Sequence, residues 1–233
     1  PTCQRHGNHA PPKTGTELIR IAGFHGQGIN MHINEIQFRE GRYEDCYRIA
    51  ELVDRASGGA IDFLFHDLIP GLTPVQIIAR NFERDEYPFT FKSTIVAQHR
   101  HQVVGFSLSF PAAFHTISDE MRHFFPPERL AHFHDFFSSR VEGSYYLDGL
   151  GVDPGYQRFG IGSRLIDLTK EKVKAEGYCA LSLIVFADNI QAIKLYERCG
   201  FRTVKPIELN PHERIPHQGG CLLMNCALEE PGC

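Results

Sequence analysis

The sequence predicts one α/β domain: a mixed, mostly antiparallel sheet of about seven strands flanked by helices. Three observations predict it. Short apolar runs of strand length recur at 36–39, 91–97, 102–110, 145–152, 181–186, 202–209 and 221–228. Segments with apolar residues at helical spacing alternate with them. The clearest holds Ile161, Leu165 and Leu168 on one face, leaves Arg164, Glu171 and Lys174 wet, and stops at Gly177. Between strand and helix lies the tight turn Asp153-Pro154-Gly155, then Gly160-Ile161-Gly162.

In chain order, residues 1–34 are rich in Gly, His and Pro around one apolar break, Leu18-Ile19-Arg20-Ile21. They are expected to form an arm outside the core, extended or docked on a neighbour. The domain is expected over 35–229, with a tail at 230–233. A helix at 43–56 puts Cys46, Ile49, Ala50 and Val53 on one face and ends at Gly58-Gly59. Residues 60–84 read as helix broken at Pro70-Gly71 and restarted by Thr73 as N-cap with Pro74 behind it. A turn near His99-Arg100-His101 joins two strands. The next segment, 111–143, carries Phe114, Phe124, Phe125, Phe133, Phe136 and Phe137 with His115, His123, His132 and His134. It is expected to be a helical insert, aromatics inward, serving as a lid or a homodimer contact. A metal site from His132, His134 and Asp135 is set aside: a His-x-His pair suits a strand, and this run reads as helix.

The chain has 233 residues, enough for one substantial core, and a net charge of −4. That charge gives no general attraction to nucleic acid or anionic membrane. No apolar run approaches the roughly 18 residues of a membrane span. No secretory signal is visible, although the chain begins at Pro1 and an upstream piece can have been removed. Seven scattered cysteines suit a reducing cytosol better than a disulfide framework, so a cytoplasmic location is expected.

Glycines at a helix start make an anion trap, because the first N–H groups lack internal partners and the helix dipole is positive there. Three phosphate loops compete for this one. The P-loop fails because no Lys follows the second glycine, and the G-x-G-x-x-G loop fails because Leu165 stands where its third glycine belongs. The third pattern, Gln/Arg-x-x-Gly-x-Gly/Ala, fits Gln157-Arg158-Phe159-Gly160-Ile161-Gly162. This resembles the acyl-CoA loop of the GNAT superfamily of N-acyltransferases. Further on, Asn189 to Phe201 resembles that family's second signature, Asn-x-x-Ala-x-x-x-Tyr-x-x-x-Gly-Phe, with Ala192, Tyr196 and Gly200 in place. The specific resemblance covers Tyr146 to Phe201.

The resemblance implies a GNAT-like fold in which acetyl-CoA lies where two parallel strands splay apart, with no metal. Main-chain groups of Leu150, Gly151 and Val152 would pair with the pantetheine arm. Gln157, Arg158, Phe159, Gly160, Ile161, Gly162 and Ser163 would hold the pyrophosphate. Asn189 and Ala192 would line the other side. The reaction implied is direct attack of a primary amine of a small molecule on the thioester. The Val152 N–H is the oxyanion donor in that reading, and Tyr196 assists the departing sulfur. Some members carry a base where Ile184 stands here, which closes that route. The positions matching the others' base are Tyr146 and Asp148, two apart on one strand face. Asp148 is the candidate base, through water, with Glu142 as fallback. Asp62, Asp67, Asp119 and Asp135 hint at a cationic acceptor. Two alternatives stand beside this reading: a protein or peptide N-terminal acetyltransferase, and a non-catalytic acyl-CoA-binding module.

Overall fold

A computed structural model describes residues 32–228. The expected arm, with its Leu18–Ile21 break, falls outside them as far as residue 31, as does the tail at 230–233. A seven-stranded sheet runs in the order β1-β2-β3-β4-β5-β7-β6. The strands are β1 (Ile36–Glu40), β2 (Thr94–His99), β3 (Gln102–Pro111), β4 (Tyr145–Val152), β5 (Ala180–Phe186), β6 (Arg202–Ile207) and β7 (Cys221–Ala227). Every neighbouring pair is antiparallel except β4 and β5. The mixed, mostly antiparallel sheet expected from the sequence is therefore the one found.

Helices cover both faces. Before β2 come α1 (Cys46–Ala56), α2 (Ala60–Phe65) and α3 (Pro74–Glu83). Ile49, Ala50, Leu52, Ile78 and Phe82 pack with Val96, Phe106, Phe110 and Tyr146 on one side of the sheet. Val53, expected on the inward face of α1, is only partly buried beside that cluster, while Leu52 is fully inside. Thr73 and Gln76 cap α3 reciprocally, at 3.3 and 2.9 Å. The opposite side is covered by α7 (Ile161–Ala175), whose Ile161 and Leu165 meet Ile36, Ala97 and Val104.

The 111–143 segment holds three short helices, α4 (Asp119–Phe124), α5 (Pro127–His132) and α6 (His134–Ser138). Its Phe125, Leu130 and Phe133 pack with Phe63 and Leu64 of α2 and with Ile215 from the β6–β7 loop. Arg129 holds the insert down by donating to the carbonyls of Leu64 and His66, at 2.8 and 2.9 Å. Among the described residues no group of three or more His, Cys, Asp or Glu is placed to hold a metal. Among the same residues no helix is long and apolar enough to cross a membrane. Cys46, Cys199, Cys221 and Cys226 are free thiols, whereas Cys179 is disulfide-bonded, a pairing that the scattered cysteine spacing did not suggest.

Candidate active site

The central feature is a V between β4 and β5. These strands pair at only two positions, Tyr145 with Leu181 and Tyr146 with Ser182. At the vertex the Ser144 and Ser182 hydroxyls share a hydrogen bond of 2.8 Å, and the Ser182 hydroxyl lies 3.2 Å from the Tyr145 carbonyl. Beyond that the strands part. On the other edge β4 keeps pairing with β3, but Leu108 faces Gly149 while Ser109 faces Leu147, so Asp148 is an extra, bulged residue. A bulge bends its strand, and this one lies where the gap opens.

The free edge of β4 points its main chain into the gap. The Asp153 N–H donates to the Val104 carbonyl at 2.8 Å, on the β3 side. Successive main-chain groups alternate between edges, so those of Leu150 and Val152 face the gap. Gly151 turns the other way. Its carbonyl lies against Gly105, and a Cβ on Gly151 would come within 2.7 Å of the Phe106 ring. Gly151 is thus a packing glycine that lets α1 approach β4, although the sequence placed it beside Leu150 and Val152 as a cofactor contact. The Gln157 side chain donates to the Val152 carbonyl at 3.1 Å and closes the end of the gap.

The loop into α7 has the shape its glycines require. Gly160 is the N-cap at φ 82°, and a Cβ there would meet nothing within 4 Å. Arg158 also has positive φ, 68°. The first intrahelical bond runs from the Arg164 N–H to the Gly160 carbonyl, so the N–H groups of Ile161, Gly162 and Ser163 have no partner within the helix. Phe159 and the Ile161 side chain pack into the core, leaving those residues only their backbone to offer. Across the gap α8 (Ile190–Arg198) starts at Asn189, whose side-chain oxygen accepts the Ala192 N–H at 3.2 Å. The amide NH2 of Asn189 can still donate, whereas the Ala192 N–H is committed to the cap.

Two titratable groups of the candidate site, Asp148 on β4 and Tyr196 on α8, have raised pKa values. Asp148 is reached by solvent along the gap, yet protein crowds its carboxyl, and the loss of hydration pushes its pKa up to about 7. Water in the open gap works against that shift; an acceptor that displaces the water works for it. Burial likewise pushes the Tyr196 phenol up to about 12, so it stays protonated and able to donate. Tyr146 does not join them as a reactive group. It is 1% exposed, its ring lies 4.1 Å from that of His115, and burial holds its phenol far above the ordinary range. The neighbouring Asp148 carboxylate opposes its ionisation further. The fallback base Glu142 pairs with Arg140 at 2.7 Å on the surface.

Two loops meet beside Phe186, the last residue of β5. Gly58 and Gly59, both at positive φ, meet the β6–β7 loop: a Cβ on Gly59 would lie 2.0 Å from the Arg214 carbonyl. Arg214 pairs with Asp62 at 2.8 Å, and His217 bonds Asp188 at 2.6 Å while stacking on Phe186 at 3.9 Å. The Asp62 carboxylate is therefore engaged, as are Asp119 by Arg122 and Asp135 by His134. The sequence carried no signal for the Asp62–Arg214 and Asp188–His217 pairs, because their members lie far apart along the chain.

Parallel strands that splay apart, and a glycine cap at the start of the helix that follows, point to an acyl-CoA-binding fold. The acetyltransferase (GNAT) family matches residues 61–201, and the chain belongs to it. Among curated relatives, the [ribosomal protein bS18]-alanine N-acetyltransferase of Escherichia coli K12 is 42% identical over 55 residues, 24% of this chain and 37% of that protein. Mycothiol acetyltransferase of Beutenbergia cavernae is 36% identical over 74 residues, 32% of this chain and 23% of that one. The chain thus spans little more than a third of the first relative and about a quarter of the second. A solved acetyltransferase is 26% identical, with a TM-score of 0.61 over 83% of this chain and all of that one. An N-acetyltransferase from Staphylococcus aureus Mu50, 19% identical, shares the fold with a TM-score of 0.56 over 81% of this chain and 98% of that one.

Proposed function

We propose that the chain moves an acetyl group from acetyl-CoA to a primary amine of a small molecule by direct attack. The observation that carries this reading is the V itself. Its β4 edge offers unpaired main-chain groups, a bulged carboxylate stands at its mouth, and a glycine-capped helix start lies at its end. The residues fit the CoA thioester. Leu150 and Val152 offer a strand edge to the pantetheine amides, with the Asn189 NH2 opposite. The amides of Ile161, Gly162 and Ser163 meet the diphosphate, and the absence of a side chain at Gly160 leaves the approach clear. Acetyl-CoA supplies an activated carbonyl and a thiolate leaving group.

The chain's own residues do the rest. The Val152 N–H, aimed into the gap, stabilises charge developing on the carbonyl oxygen. Asp148, with its pKa raised to about 7, takes a proton from the acceptor's ammonium directly or through one water, which leaves the neutral amine that attacks. Tyr196 stays protonated and hydrogen-bonds the departing sulfur. An α-amine, with a pKa of about 7.7–8.0, is within Asp148's reach; a lysine-type amine near 10.4 is neutral only about once in a few thousand molecules at pH 7. The named acceptors of the relatives, a protein alanine and mycothiol, differ in size and kind. The peptide reading therefore enters the test as a second acceptor panel.

The test is thiol release from acetyl-CoA over panels of small amines and short peptides, with D148N and Y196F as controls. Turnover that falls in both variants supports the roles. Binding of acetyl-CoA without turnover on any amine favours a non-catalytic module.

A further inference from the structure

We propose that Arg48 is a positioning residue that holds the end of β4 so that the Val152 N–H points into the V. This rests on the acetyltransferase reading above. Arg48 lies on α1, away from both sequence signatures, and its side chain is only 20% exposed. Its three guanidinium nitrogens have separate tasks. Nε donates to the Val103 carbonyl at 3.0 Å, Nη1 to Glu51 at 2.8 Å, and Nη2 to Asp153 Oδ2. Val103 lies on β3 and Asp153 directly follows Val152. One side chain therefore ties α1, β3 and the exit of β4 together.

Asp153 is the right place for such a tie. Its N–H bonds the Val104 carbonyl, its Oδ1 accepts the Gly155 N–H at 3.3 Å, and its Oδ2 takes Arg48 and, at 3.5 Å, Arg55. The residue is fixed on the β3 side and at the turn, which sets the direction of the neighbouring peptide. Without β5 beside it, this end of β4 has lost one edge of its pairing. The latch replaces that restraint from the α1 side. Lysine could keep the charge but not the fork, since its ammonium is a single point donor.

The experiment compares wild type, R48M and R48K by steady-state kinetics, CoA calorimetry and amide hydrogen exchange. Asp153 amide exchange in R48M is expected to speed up at least about tenfold while the interior of β3 stays protected. The kcat is expected to fall about 10- to 100-fold, the scale of a donor moved by about 1 Å, with CoA affinity changed less than about threefold. R48K should recover part of the rate. The inference is overturned if Asp153 exchange is unchanged, if exchange quickens with kcat intact, or if kcat, CoA affinity and melting temperature fall together. Should wild type bind CoA yet turn over no amine, the functional reading fails instead, and Asp153 exchange alone decides whether the latch exists.

Discussion

The two ends of the V are built from different materials. At the end beside α7, the proposed cofactor end, the groups that face the gap are main-chain ones: Leu150 and Val152 on β4, and the first amides of α7. Where the loops meet beside Phe186 they are side chains held by other side chains: Asp62 by Arg214, His217 by Asp188 and Phe186, and the insert by Arg129. A main-chain site needs only a backbone path, so few residues specify it and glycine is prominent among them. A side-chain site can be rebuilt one residue at a time without moving the sheet. The proposed chemistry sits between the two, at Asp148 and Tyr196.

The largest effects should come from that middle. D148N is expected to lower kcat about 100- to 1,000-fold, within the usual range for a positioned proton acceptor. In wild type the rate should rise with pH through a limb near 7, and D148N should lack it; a limb that survives the substitution would assign the base elsewhere. The same shift has a stability sign. Because the folded state raises the Asp148 pKa above its ordinary 3.8, folding favours the protonated form, and stability is lost as pH rises from about 4 to about 7. Melting curves should therefore show D148N gaining more over wild type at pH 8 than at pH 4. Y196F should cost less, about 10- to 100-fold in kcat, since it removes one hydrogen bond to the leaving sulfur.

Substitutions at the two ends should separate the substrates. G59A places a Cβ against the Arg214 carbonyl at φ 91° and should destabilise by about 1–3 kcal/mol. It should raise the KM for the amine about fivefold while leaving that for acetyl-CoA within about twofold, with the loss of a tight turn as the physical cause. G160A has open space for its methyl but an unfavourable φ, a cost of about 1 kcal/mol. It should shift the KM for acetyl-CoA and spare that for the amine; the reverse pattern would exchange the assignments of the two ends. The smallest effect is expected from R214A, an exposed ion pair, whose melting temperature should barely move.

Much of the local structure was legible in the sequence because it is coded by near neighbours. Gly160, Gly177, Asn189 and Thr73 act within their own turn of chain, through φ angles and caps that depend on near neighbours. The alternation of apolar runs likewise placed the seven strands within a few residues. The pairing of Gly151 with β3 escaped because the direction of each main-chain group follows from register, which the sequence of one strand does not contain. Tyr146 and Asp148 looked equivalent by spacing. The bulge, the packing of His115 and the burial of one ring made them a core residue and a cleft carboxylate.

The sequence by itself determined the strand-turn-helix unit, the glycine cap and the residues that can donate or accept a proton. Only the tertiary structure decided that β4 and β5 part after two pairs, that the surroundings of Asp148 raise its pKa, and that Arg48 reaches Asp153. The reason is physical. Backbone conformation is set by nearby residues, whereas desolvation and strand separation are set by groups that meet only when the chain has folded.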